Sequence, residues 1–143
     1  MSKRYLELFA IDILIAIDRI ERYRAGFQTA QDFYHDEKSF DATMRELQII
    51  GEATRHLLAM EWVESDYRIV VDFRNIIVHE YFGIDADEIW DILQHELPPF
   101  RDSIMQKLQQ LDPETTREII DDLLDSEREE TVRFLVRLKK QLQ

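Results

Sequence analysis

The chain is predicted to be an all-α bundle, and three observations carry that expectation. Its 143 residues include only three Gly and three Pro, too few to punctuate many turns or strand ends. Apolar residues recur every three or four positions along most of its length, the period of a one-sided helix. Side chains able to cap a helix stand where several of those runs begin. No internal repeat, low-complexity tract or hairpin signal competes with this reading.

From Lys3 to Arg24, Leu6, Phe9, Ile13, Ile17 and Ile20 predict one amphipathic helix, with Gly26 placed to end it. Thr29 is a cap for a short helix through Tyr34. A second long helix is expected from about Glu37 to Met60, where Phe40, Met44, Leu47, Gly51, Thr54 and Leu58 form a heptad-like stripe. That stripe suits close packing, and Gly51 lets a neighbouring helix approach. A third helix is expected from roughly Asp66 to Tyr81, stopping at Gly83. Asp85, with Glu88 three residues on, opens a fourth through Ile89, Trp90, Leu93 and Leu97. Pro98 and Pro99 are expected to break or kink it before helical spacing resumes at Phe100. Asp112 followed by Pro113 signals a further start, and the remainder reads as one or two charged amphipathic helices.

The absence of Cys rules out disulfides and thiolate metal sites and fits a reducing compartment. Asp12 and Asp18 interrupt the apolar stretch near the start, so neither a secretory signal nor a membrane span is expected, and a soluble cytoplasmic protein is the default. The net charge is −12, which argues against a broad nucleic-acid-binding face, because phosphate affinity rests on Lys and Arg. Residues 26–110 hold seven basic against 17 acidic side chains, so any polyanion site must be local and shielded.

The third helix has two faces. Placing residues about 100° apart, Ile69, Val70, Phe73, Ile76 and Ile77 share an apolar side that docks on the first two helices. The opposite side mixes Val71 and Val78 with Arg74, Asn75 and His79, and Tyr81 lies nearly in line with Arg74. A solvent face would carry Glu and Lys, so this face is expected to be covered, most economically by a two-fold copy of itself. Arg74 and His79 stand about 140° apart around an ideal helix, so they converge only if one subunit's Arg approaches the other's His.

His accepts and donates protons near neutrality, and Arg neutralises phosphate charge with a planar fork of donors. Together they suggest metal-free RNA cleavage. One imidazole deprotonates the ribose 2′-hydroxyl, a second group protonates the leaving 5′-oxygen, and Arg74 stabilises the phosphorane. Asn75 either holds an oxygen or orients the imidazole. DNA lacks the 2′-hydroxyl and cannot react this way. The four His are 16 or more residues apart, without the close His pair of a zinc site, and no phosphate-binding glycine loop or nucleophile elbow occurs. No metal or other cofactor is expected. A non-catalytic nucleotide-binding or scaffolding dimer, and a purely structural one, stand as alternatives.

RNIIVHEY fits Arg-x4-His-x-Tyr and resembles the motif of HEPN domains, specifically the HepT-like toxins. RIERY, IIGEATRHL, YFGID and WDILQHELPPFRDSI extend the similarity over about residues 4 to 108. The resemblance implies a HEPN-like antiparallel helical bundle over residues 1–110, homodimeric, with a C-terminal helical extension over 111–143. It implies a ribonuclease toxin of a type VII HEPN/MNT toxin–antitoxin system, acting on tRNA or mRNA, with Arg74 and His79 catalytic at the dimer interface and Asn75 supporting them. It also implies a cognate MntA-type nucleotidyltransferase antitoxin that transfers AMP from ATP to Tyr81. Arg137, Lys139 and Lys140 would help hold RNA if they fold near that cleft.

Overall fold

The computed structural model describes residues 3–64 and 85–142. The expected third helix, and with it Arg74, Asn75, His79 and Tyr81, lies outside the described residues. Among the described residues every regular element is helical. They are α1 (Lys3–Arg24), α2 (Ala30–His35), α3 (Glu37–Ala59), α4 (Ala86–Asp91), α5 (Leu97–Gln109), α6 (Pro113–Leu124) and α7 (Glu129–Gln141), with a π-helical stretch, Ile92–Glu96, joining α4 to α5. None of these helices is long and apolar enough to cross a membrane.

Most boundaries follow local chemistry. Arg22 and Arg24 occupy the last turn of α1, where their charge opposes the helix dipole, and Gly26 then takes a left-handed φ of 90° that ends the helix. The Thr29 hydroxyl accepts from the Asp32 N–H to cap α2, and the Asp36 carboxylate accepts from Ser39 to cap α3. Asp85 caps α4 through the Asp87 N–H, one position earlier than a bond to Glu88. Asp112 caps α6 and Pro113 fills its first position.

The prolines act differently from a simple break. Helical winding continues from Ala86 to Gln109, and the turn ahead of Pro98 and Pro99 opens into a π-helix, with the Leu97 N–H reaching back to the Ile92 carbonyl. A proline ring in an α-helix collides with the carbonyl four residues earlier. Widening the preceding turn relieves that collision while keeping the chain helical.

α1 is central. Ala10, Ile11, Ile13, Leu14, Ile15, Ala16, Ile17 and Ile20 are all buried, more of its circumference than one amphipathic face accounts for. The extra coverage is supplied from the C-terminal side, since α6 and α7 pack on α1, as do α3 and α5. Ile119, Ile120, Leu135 and Leu138 accordingly join the same core as Ile50, Leu57, Leu93 and Leu97. A second centre forms where α2 meets α3 and α4. There Phe33 makes edge contacts with Phe27 and Phe40 and lies 5.4 Å from the Trp90 ring. The Arg24 guanidinium covers Trp90 at 4.8 Å. Such pairs add about 0.5–1.5 kcal/mol each beyond area burial.

Polar contacts register these layers. Arg19 of α1 donates to Glu46 of α3 at 3.2 Å and to Glu127 at 3.2 Å, and it reaches the Thr131 hydroxyl of α7 at 3.4 Å. Arg22 bonds both Asp18 and Glu130, and Arg137 lies 3.7 Å from Asp18. The Arg19 and Glu46 side chains are only 16% and 5% exposed, so removing one strands the other away from water. Arg19→Ala is expected to destabilise the protein by about 3 kcal/mol in urea unfolding. A change of only a few tenths would show that the junction is incidental.

Candidate functional site

The four residues singled out by sequence, Arg74, Asn75, His79 and Tyr81, lie outside the described residues; the framework that leads into and out of their segment is described. On the way in, Glu61 adopts a left-handed φ of 57° and the Trp62 N–H bonds the Leu57 carbonyl at 2.9 Å. Lys107 of α5 fixes the next carbonyl: its ammonium donates to Trp62 O at 3.1 Å and sits 5.6 Å from the indole centroid. On the way out, Asp85 caps α4, whose Trp90 is held by Phe33 and Arg24. The helical run from Asp85 to Lys107 separates these anchors by roughly 30 Å at 1.5 Å per residue. Both flanks of the motif segment are therefore tied to well-packed helices.

The C-terminal cations take local partners. Lys139 donates to Asp121 at 2.7 Å, and Arg137 faces Asp18. Among the described residues Lys140 shows no such pairing, and the cleft that these three were expected to assist lies outside the described residues. Among the described residues no group of three or more His, Asp or Glu is placed to hold a metal ion.

The residues alone did not signal a groove between α1 and α3, with a volume of about 410 Å³. Phe9, Asp12, Arg45, Gln48, Ile49, Glu52, Ala53 and His56 line it. The His56 ring lies flat on Phe9, centroids 4.6 Å apart and planes within 6°. Asp12, at one wall, has its carboxyl pushed up to about 6, chiefly by burial and then by the charge of Glu127, against the opposing pull of Arg19. Phe9 and His56 are 47 positions apart, so nothing in local spacing announces their contact.

Residues 13–107 match the family described as Ribonuclease HepT-like. Among curated proteins, the chain is 31% identical over 102 residues to "Probable ribonuclease HepT" of Thermococcus cleftensis, covering 69% of this chain and 88% of that protein. It is 29% identical over 107 residues to a "Putative RNase" of Methanocaldococcus jannaschii, covering 73% and 97%. A third match, also from Methanocaldococcus jannaschii, is named "Gamma-glutamylcyclotransferase and putative RNase"; it is 28% identical over 114 residues, 77% of this chain, which spans 50% of that longer protein. No solved structure matches the chain. The matched residues take in α1 from Ile13 to all but the end of α5, and α6 and α7 fall beyond them.

The raised Asp12 value carries a consequence for stability. A carboxyl that binds its proton more tightly when folded favours folding below its unfolded value near 3.8 and loses that contribution as pH rises through about 6. Asp12→Asn should therefore stabilise the protein at pH 7 by about 1–2 kcal/mol, allowing for partial solvent screening. The gain should shrink to near zero at pH 4, measured as the difference in urea-unfolding free energy between variant and parent. An equal effect at both pH values would contradict the assignment.

Proposed function

This chain belongs to the HepT-like ribonuclease family, and from that premise we propose that it is an RNA-cleaving toxin whose catalytic groups are Arg74 and His79. The observation that carries the reading is the Arg-x4-His-x-Tyr motif, Arg74 to Tyr81, lying inside the residues that match the family. Two copies of the chain meet along the motif face, so that Arg74 of one and His79 of its partner flank a single phosphodiester. One imidazole takes the 2′-hydroxyl proton, the oxygen attacks phosphorus, and the leaving 5′-oxygen is protonated by a second group. Arg74 bears the charge that grows on the phosphorane, and Asn75 fixes an oxygen or the imidazole.

The same motif supplies the means of control. A nucleotidyltransferase antitoxin of the MntA type places AMP on the Tyr81 oxygen, releasing pyrophosphate from ATP. The added phosphate and its bulk then stand beside Arg74, where the RNA phosphate has to bind. A net charge of −12 per chain repels RNA in general, so substrate binding is weak, salt-sensitive and confined to a small cleft. Anchoring of the motif segment by Lys107 at one end and the α4 cap at the other supports a site held by a rigid frame.

His79→Ala and Arg74→Ala should each lower RNA cleavage by about 10²–10⁴-fold and relieve growth arrest, with the helical circular dichroism and the dimer mass unchanged. Cleavage at the parental rate by His79→Ala protein would refute the assignment. Co-expression with an MntA-type nucleotidyltransferase should raise the intact mass by whole adenylyl units, and Tyr81→Phe should abolish that increase.

A further inference from the structure

We infer that the α1–α3 groove is a base-stacking subsite for single-stranded RNA, built from residues other than Arg74 and His79. The inference rests on the ribonuclease reading for its ligand and on the groove's own chemistry for its place. His56 is exposed, and one face of its ring is covered by Phe9, which leaves the other face as a flat platform already held parallel to a second aromatic ring. A base laid on it extends the stack to three rings, an interaction tolerant of sequence because every base has a π face. Gln48 of the groove wall offers both a carbonyl acceptor and amide donors, the complement that a base edge needs.

Charge in the groove fits the same occupant. Arg45 lines it and holds no ion pair among the described residues, so its guanidinium is available to a phosphate. It stands three turns before His56, roughly 16 Å along α3, and so meets a neighbouring phosphate instead of the one carried by the stacked nucleotide. Of the two acidic residues in the groove, Asp12 and Glu52, the second is tied to Arg55 at 2.8 Å. A protein partner fits less well. The apolar lining consists of Phe9, Ile49 and Ala53, too little for an interface that needs on the order of 800 Å² from each side.

The test uses the full chain carrying His79→Ala, so that RNA stays intact, and a fluorescein-labelled single-stranded RNA octamer of mixed sequence read by anisotropy. Adding His56→Ala should weaken binding about tenfold or more, the loss expected from one stacked base. Adding His56→Phe should keep affinity within about twofold, since it preserves the platform. Circular dichroism and sedimentation should be unchanged in both variants. Unaltered affinity with His56→Ala would overturn the inference, as would no RNA binding by the His79→Ala chain. A change in oligomeric state would overturn it too, by placing the face between copies. The two readings also fail separately. RNA cleavage with an unchanged KM in an otherwise native His56→Ala protein removes the subsite and leaves the ribonuclease. His56-dependent binding without cleavage by the native chain does the reverse.

Discussion

The Arg19 guanidinium, held between α1, α3 and the C-terminal helices, is the contact on which the described architecture depends. Glu46, Glu127 and Thr131 all converge on it, and they come from segments 27 to 112 residues away along the chain. Apolar packing around α1 is non-directional, so it sets how much surface is buried but not the rotation of each helix about it. A nearly buried charge with several specific acceptors does set that rotation, because every misregistered arrangement leaves Glu46 or Arg19 desolvated and unpaired. Its contribution is specificity more than net stability, since desolvation offsets much of the Coulombic gain.

This junction connects two parts of the chain that the family comparison separates. The matched residues end at 107, yet α6 and α7 close over α1 and share its core. They change α1 from a one-sided helix into a central one, and they consume Glu127 and Glu130 of their own acidic excess on Arg19 and Arg22. The motif segment enters and leaves this solid body at Trp62 and Asp85, both restrained by helices that are themselves packed on α1 or α2. Positional precision in a ribonuclease comes from such a frame, because the catalytic effect of a base and a guanidinium falls steeply with misplacement.

Much of the fold was legible in the sequence for local reasons. Gly26, Thr29, Asp85 and the Asp112–Pro113 pair each act within one helical turn, so their meaning survives without tertiary information, and the helix ends they imply agree with the structure. Three features were not legible. The two-sided burial of α1 depends on helices a hundred residues later. The π-helical turn before Pro98 is a compromise between proline sterics and continued packing of Leu93 and Leu97, which are fully buried. The Phe9–His56 stack joins two helices whose rotation only the core decides. Arg74 and His79 stand out by spacing and chemistry, being set in an otherwise apolar run, and they lie outside the described residues. The ion pairs of Arg137 with Asp18 and of Lys139 with Asp121 were likewise not displayed by any local pattern.

The proposed attack by the ribose oxygen is tested most directly by the ends left on cleaved RNA. Purified chain, incubated with a short RNA in the presence of chelator, should produce a 2′,3′-cyclic phosphate and a 5′-hydroxyl, and a single 2′-deoxy substitution at the cut position should block cleavage there. A 3′-hydroxyl with a 5′-phosphate, or undiminished cleavage at the deoxy position, would contradict attack by the ribose oxygen and with it the roles given to His79 and Arg74.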